Sequence, residues 1–342
     1  MSILGRRMAE EMAQQPAVLE RLGLRLAGIA AEIRSLAGAD VPGVAFLARG
    51  SSDNAALLAR YAVGIWAGIP ALSLAPSLTT TFGVTPRRFE GWLVVAISQS
   101  GATPEITAVA TTMRAAGASV VAITNAEHSP LEAVADLTVS VDAGPERAVP
   151  ATKTVTAQML AGIALASALG DPGPEPDAAR QLAQAVAEIL DDPGPVIELA
   201  AQLASADRLS VIGRGFMYPA ALETALKLQE TTGKMAHGFA TSDFRHGPIQ
   251  VSGPAAPIVA LIGSFIADAD TRGIREAAVG RSAPFFTVGC GPESAVRWPA
   301  LGTIAETMLA TVRGQQLALY LSRELRVDPD RPTGLQKITL TH

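Results

Sequence analysis

The chain has 342 residues, a length that suits two packed units better than one small domain. Hydrophobic residues make up 49% and charged residues 17%, which excludes an intrinsically disordered protein. The net charge of −5, with no run of more than two basic residues, excludes the basic surface of a nucleic-acid-binding protein.

The residues that would bind metal or form disulfides are scarce. Cys290 is the single cysteine, so neither an internal disulfide nor a cysteine metal cluster is expected. The four histidines show no HxH or HxxxH spacing, which also argues against a metal site. The first residues lack the apolar core of a signal peptide, and no apolar run reaches the length of a membrane span. These features predict a cytoplasmic protein without a membrane partner.

The first half of the chain alternates short apolar runs with helical segments. Residues 3–37 predict two helices broken at Pro16, and residues 152–169 predict a long alanine-rich helix. Buried strands are predicted between them at 44–48, 71–74, 93–97, 120–124 and 137–141. Strands that alternate with helices in this way indicate a parallel sheet covered by helices on both faces.

The second half repeats part of this pattern. The densest cluster of proline and glycine, at 170–176, predicts a boundary. The elements predicted beyond it are helices at 177–191, 194–205, 219–231 and 299–322, and strands at 209–212, 258–262, 285–288 and 338–340. A strand followed by an Arg-Gly turn and a helix occurs around Arg49 and again around Arg214, which suggests an internal duplication.

The turn from Ser98 to Thr103 has the composition of an anion site. It follows an apolar strand and precedes a helix, whose first N–H groups lack partners within it and whose dipole is positive there. Hydroxyl groups from Ser98, Ser100 and Thr103 could donate to phosphate oxygens, and Gly101 allows close approach of the backbone. The residues alone leave two interpretations open, a phosphate cradle and an ordinary helix cap.

Other polar residues also admit two interpretations. His246 precedes a Gly-Pro turn that would expose an imidazole, although a structural histidine fits as well. Glu223, Lys227 and Glu230 have the spacing of a charge network on a helix surface. Lys337 would ordinarily be solvated, whereas a desolvated lysine there could form a Schiff base with a carbonyl substrate.

Taken together, seven stretches resemble the double-SIS (sugar isomerase) family, which includes the isomerase half of glutamine:fructose-6-phosphate amidotransferase and stand-alone amino-sugar-phosphate deaminases and isomerases. The matching stretches occur in order across nearly the whole chain: Met12–Pro16, Arg49–Asn54, Ser98–Thr103, Val149–Lys153, Gly213–Gly215 with Tyr218–Glu230, Arg245–Pro248 and Asp330–Lys337. The resemblance implies an α/β fold of two tandem SIS domains, each a parallel sheet flanked by helices in a flavodoxin-like three-layer α/β/α arrangement. The expected organisation is N-terminal helices at 1–37, SIS domains at 38–170 and 177–327, and a tail at 328–342 that completes the active site.

The resemblance also implies how a sugar phosphate is bound. The residues expected to hold the 6-phosphate are Ser98, Gln99, Ser100 and Thr103, and those expected to line the sugar site are Ser51, Ser52, Val149 and Ala151. The family often has serine where this chain has Ala151, which removes one hydroxyl contact and bears on the choice of sugar.

The implied chemistry is proton transfer next to a carbonyl, which needs neither a metal nor an organic cofactor. Glu230 matches the base that moves a proton between C1 and C2, with Lys227 one helical turn before it. His246 matches the residue that opens the sugar ring, which in relatives comes from the neighbouring subunit, so a homodimer is expected. Lys337 matches the lysine that engages the sugar carbonyl.

The leading functional hypothesis is an amino-sugar-6-phosphate deaminase/isomerase that converts glucosamine 6-phosphate to fructose 6-phosphate and ammonia. Glutamine-dependent synthesis by this chain alone is not expected, because it shows no N-terminal cysteine nucleophile and Cys290 lies in a glycine-rich turn. The alternatives are a plain phosphosugar isomerase, a deglycase, and a non-catalytic phosphosugar sensor.

Overall fold

The computed structural model describes residues 3–170, 176–264 and 269–337. It separates into two compact units. The first unit contains Ala17–Glu146, Lys153–Arg180 and Gln336–His342. The second unit contains Met1–Pro16, Arg147–Thr152 and Gln181–Leu335. Each unit is built around one parallel sheet, as the sequence predicts.

The elements up to residue 169 follow the predicted alternation. They are α1 (Arg6–Met12), α2 (Gln15–Gly23), α3 (Leu26–Ala37), β1 (Val44–Leu47), α4 (Ser51–Trp66), β2 (Ala71–Ser73), α5 (Ser77–Thr80), β3 (Leu93–Ser98), α6 (Pro104–Ala115), β4 (Ser119–Thr124), α7 (Pro130–Val134), β5 (Leu137–Ser140) and α8 (Lys153–Leu169). The predicted helix break at Pro16 is wrong, because Pro16 is the second residue of α2 and the breaks lie on either side of that helix. Proline is tolerated in a first turn, where its missing N–H has no intrahelical acceptor.

The first sheet has the strand order β2-β1-β3-β4-β5 with parallel pairing throughout. Every residue of β1 and β3 is buried, as expected for strands covered on both faces. The chain places β2 on one side of β1 and β3 on the other, so the strand order reverses between β1 and β3. In open α/β sheets, ligands bind outside the carboxyl ends of the strands at such a reversal.

The second sheet repeats this arrangement. Its elements are α9 (Pro176–Asp191), α10 (Gly194–Leu203), β6 (Arg208–Gly213), α11 (Met217–Thr232), β7 (Met235–Ala240), α12 (Thr241–Phe244), a 3₁₀ helix (Pro248–Val251), β8 (Ile258–Ile262), α13 (Ala269–Val279), β9 (Phe285–Gly289), β10 (Val296–Arg297) and α14 (Thr303–Glu324). The strand order β10-β9-β8-β6-β7 places β6 and β8 where the first sheet has β1 and β3. The predicted duplication is therefore confirmed at the level of topology. The strand predicted at 338–340 lies outside the described residues.

Two carboxylates from the end of the second unit cap its first helix. The N–H groups of Arg7 and Met8 donate to the two carboxylate oxygens of Asp330, at 2.8 and 3.0 Å. The Gly5 N–H donates to Asp328 Oδ1 at 3.0 Å. Acceptors at this position satisfy the unpaired donors of a helix N-terminus and complement its dipole.

Among the helices of residues 3–170, 176–264 and 269–337, none is long and apolar enough to cross a membrane.

Candidate active site

The turn after β3 is held in shape by its own hydroxyl groups. The N–H of Gly101 donates to Ser98 Oγ and the N–H of Ala102 donates to Ser100 Oγ, both at 3.2 Å. These hydroxyls act here as acceptors, so each keeps its hydrogen for a ligand. Thr103 is the N-cap residue of α6, and within the described part of the chain its hydroxyl makes no capping bond. The turn is therefore ready to donate to an anion.

Gly101 cannot be replaced without moving the turn. Its φ is +58°, and a Cβ atom added there would overlap the Ser129 side chain. Its carbonyl accepts from the Leu131 N–H at 3.0 Å, and the neighbouring Gln99 carbonyl accepts from the Asn125 N–H at 3.1 Å. These bonds fix the turn against the residues that follow β4.

An ion pair joins the carboxyl ends of β1 and β3. Arg49, just after β1, donates from Nε and Nη2 to the two oxygens of Glu105, both at 3.0 Å. Glu105 belongs to the first turn of α6 and is buried, whereas the Arg49 side chain is half exposed. Such a two-bond pair fixes geometry as well as charge, so it sets the separation of the two turns.

The serines after β1 differ in what they can offer a ligand. Ser51 is half-buried at the start of α4. Ser52 is buried and donates its hydroxyl hydrogen to Gln158 Oε1 at 3.0 Å. Ser52 can therefore only accept from a ligand unless that bond is broken.

Lys337 is paired with a buried carboxylate in the first unit. Its Nζ donates to Glu146 Oε2 at 2.6 Å, and the side chain of Glu146 is 0% exposed. Thr154 also donates to Glu146, from its N–H at 3.1 Å and its hydroxyl at 2.7 Å. The interpretation of Lys337 as an ordinary solvated lysine is therefore wrong, because its ammonium group is held by a carboxylate that water does not reach.

The charge network of α11, in the second unit, is buried. Lys227 contacts Glu223 at 3.5 Å on one side and Glu230 on the other. The side chains of Glu223 and Lys227 are 0% and 1% exposed, whereas that of Glu230 is 22% exposed. The prediction of a surface charge network is wrong, since one buried ammonium group is shared by two carboxylates. Only Glu230 of the three reaches solvent to a useful degree.

The segment expected to touch the sugar is anchored in the second unit by Glu11 of α1. The carboxylate of Glu11 accepts from the N–H of Arg147 at 2.5 Å and from that of Ala148 at 3.1 Å. Val149 and Ala151 follow directly and are half-buried. Position 151 offers a methyl group rather than a hydroxyl, as the sequence already shows.

His246 lies on an exposed turn between α12 and the 3₁₀ helix, as predicted. Its N–H donates to the Asp243 carbonyl at 2.9 Å, and Gly247 follows with a φ of +138°. The turn therefore presents the imidazole to solvent rather than to the interior of its own unit.

Several residues of these sites were missed by sequence reasoning. Glu146, Glu105 and Glu11 are buried carboxylates that hold Lys337, Arg49 and a backbone segment, respectively. Each is followed or preceded by a motif that the sequence did single out, and an acidic residue beside such a motif is the only available signal. Burial of that residue depends on distant chain segments.

Cys290 is poorly suited to act as a nucleophile. Burial and the negative charge of Glu306 raise the pKa of its thiol. The reactive form of cysteine is the thiolate, which a raised pKa disfavours.

The SIS domain family matches residues 39–168 and 202–270, more than half of the chain. The chain belongs to this family. The glutamine–fructose-6-phosphate aminotransferase (isomerizing) of Mycobacterium bovis is 31% identical over an alignment that covers 96% of this chain. This chain spans only 57% of that relative's length.

Solved structures share the fold. The C-terminal domain of the glucosamine-fructose-6-phosphate aminotransferase of Francisella tularensis gives a TM-score of 0.85 at 22% identity, over 96% of this chain and 98% of that one. The glucosamine-6-phosphate deaminase of Thermotoga maritima gives 0.82 at 21% identity, over 98% and 100%. The predicted family and the predicted fold class are thus confirmed.

Proposed function

We propose that this protein is a phosphosugar isomerase that acts on an amino-sugar 6-phosphate and releases ammonia. In the proposed reaction, glucosamine 6-phosphate or a close analogue and water give fructose 6-phosphate and ammonia. The observation that carries the proposal is the arrangement on α11, where a buried Lys227 leaves the partly exposed carboxylate of Glu230 as the group that can meet a substrate.

Phosphate binding is assigned to the turn after β3. Ser98, Ser100 and Thr103 offer hydroxyl hydrogens, and the first turn of α6 adds unpaired N–H groups and the positive end of its dipole. In a chain with a net charge of −5, these local donors have to supply the attraction. Gln99 completes the assigned set, and Ser51, Ser52, Val149 and Ala151 are assigned to the sugar.

Proton transfer is assigned to Glu230. The base takes the proton from C2 of the open-chain amino sugar and returns it to C1, which gives the imine of the ketose. Water then adds to the imine carbon, and ammonia leaves. A carboxylate can perform such a transfer when it is positioned next to the acidic C–H bond. The ammonium group of Lys227 holds Glu230 in place.

The remaining assignments concern the sugar carbonyl and the ring. The ammonium group of Lys337, held by Glu146, would stabilise negative charge that develops on the sugar oxygen. His246, exposed on its turn, is assigned to ring opening in the site of a second copy, which makes a homodimer the active species. An amino sugar is chosen because the M. bovis relative is named for aminotransfer to fructose 6-phosphate.

The test is a panel of hexose and hexosamine 6-phosphates assayed for both ammonia and ketose. We expect equal amounts of ammonia and fructose 6-phosphate from the preferred hexosamine phosphate. Ketose without ammonia would identify a plain isomerase instead. No turnover with any member of the panel would contradict the proposal.

A single variant separates catalysis from binding. Glu230→Gln should lower kcat by about 10²- to 10⁴-fold, the usual contribution of a general base. Its melting temperature should still rise with a phosphosugar, because the assigned phosphate donors are unchanged. Glu188→Ala, on the exposed face of α9, is the matched control and should keep full activity. Turnover of Glu230→Gln at the rate of the control would remove Glu230 from the mechanism.

A further inference from the structure

The carboxyl end of β8 binds a carboxylate that belongs to the chain itself. Glu306, in the first turns of α14, is 0% exposed. Its Oε2 accepts from the Ser264 N–H and its Oε1 from the Ser264 hydroxyl, both at 2.6 Å. Oε1 also accepts from the N–H groups of Leu301 and Gly302, both at 3.2 Å. Four donors thus surround one buried anion.

This cluster lies at the same place in the second sheet as the turn after β3 does in the first sheet. β8 takes the place in the second sheet that β3 takes in the first, and Ser264 follows β8 as the turn Ser98–Thr103 follows β3. Both turns combine backbone N–H groups with a serine hydroxyl. Gly263, between β8 and Ser264, lets the carboxylate come close, since a Cβ there would lie 3.1 Å from Glu306 Oε2.

We propose that the carboxyl end of β8 is a second oxyanion cradle, and that Glu306 is its permanent occupant. The ligand class is a small oxyanion such as a carboxylate, which matches the shape and donors that Glu306 now satisfies. While Glu306 is present, it occupies these donors, and they are not available to a phosphosugar. This inference does not depend on the proposed enzymatic function.

The negative charge of Glu306 affects the neighbouring thiol of Cys290. Cys290, the residue after β9, has a thiol pKa that is raised by burial and then by the charge of Glu306. The four donors compensate the buried carboxylate of Glu306 for its lost hydration. Removal of the carboxylate would leave its donors unpaired, which costs stability unless another anion replaces it.

The test is chemical rescue with formate. Glu306→Ala should melt well below the wild-type protein in chloride buffer. Formate at the same ionic strength should raise the melting temperature of Glu306→Ala by about 3 °C or more at concentrations well above its Kd, because a ligand of the folded state stabilises it by mass action. Glu188→Ala, which removes an exposed carboxylate of α9, is the matched control and should not respond more than the wild type does.

Each outcome of the formate experiment either supports the proposed cradle or overturns it. A formate response of Glu306→Ala that exceeds the control supports the cradle, and so does recovery of a cooperative transition in formate if the variant does not fold in chloride. An equal response in both variants, or no folding in either salt, overturns it. Glu306→Gln gives an independent measurement, since it keeps the volume but replaces an acceptor by a donor. It should melt lower than the wild type without a formate response, and wild-type stability of Glu306→Gln would also overturn the proposal.

Discussion

The carboxyl ends of β3 and β8 occupy the same place in two sheets of the same topology, yet one ends in hydroxyls that keep their hydrogens and the other surrounds a carboxylate. After β3, Ser98 and Ser100 accept bonds from their own turn. After β8, Ser264 donates to Glu306. The fold therefore supplies a place that favours anions twice, and the side chains decide whether an outside ligand or the chain itself provides the anion.

We expect the largest difference between the carboxyl ends of β3 and β8 when the glycine of each is replaced by alanine. Gly101→Ala should lower the free energy of unfolding by about 3 kcal/mol, because it forces a non-glycine residue to positive φ and into Ser129. Gly263→Ala should cost about 1 kcal/mol, because its φ is not positive and its Cβ would meet Glu306 Oε2 at 3.1 Å. Urea denaturation of both variants measures the two values. Equal losses of the free energy of unfolding would show that the two turns tolerate an added Cβ atom equally well, which would contradict the prediction.

Removal of a hydroxyl group should affect the affinity for a phosphosugar at the carboxyl end of β3 and leave it unchanged at that of β8. Thr103→Ala should weaken phosphosugar binding by about 10- to 100-fold, the effect of one hydrogen bond to a charged group. Ser264→Ala is the matched variant. It should leave that affinity unchanged while it lowers the melting temperature, because within the described residues the Ser264 hydroxyl donates to Glu306. Isothermal titration with a hexosamine 6-phosphate measures the affinities. A loss of affinity in Ser264→Ala would show that the β8 end also binds the ligand.

The smallest effect concerns the thiol beside the β8 end. Glu306→Gln removes a negative charge that disfavours the thiolate of Cys290, so the pKa of Cys290 should fall. The rate of alkylation by iodoacetamide should therefore rise at a lower pH than in the wild-type protein. Glu293→Gln, on an exposed side chain, is the control. An unchanged pH profile in Glu306→Gln would mean that burial alone raises the pKa.

The sequence predicts most of the fold because strands in a two-sided parallel sheet are continuous apolar runs. β1, β3, β4 and β8 are found within one residue of their predicted bounds. β7 was missed because Met235–Ala240 contains Gly238 and His237 instead of a branched apolar run. Gly238 is needed where β7 passes α11, since a Cβ there would meet the backbone of Leu222.

The candidate sites were predicted less completely than the fold. The turn after β3 could be recognised as an anion site from the sequence, because its hydroxyl residues and glycine follow one another directly. The burial of Glu223 and Lys227 could not be recognised from the sequence, because the same i, i+4 spacing of charges also occurs on exposed helix faces. Glu306 was missed for a related reason, since two of its four donors belong to Ser264, which is 42 residues away in sequence.

The capping of α1 by Asp330 has a consequence for the order of events during synthesis. Arg7 and its acceptor are 323 residues apart, so the ribosome makes the first helix long before it makes the residue that caps it. At about 5–20 residues per second, the interval is roughly 16–65 seconds. The part of the first unit that ends at Arg180 can fold during this time, whereas α1 has to wait uncapped. The second unit is therefore completed only when the nascent chain is almost finished.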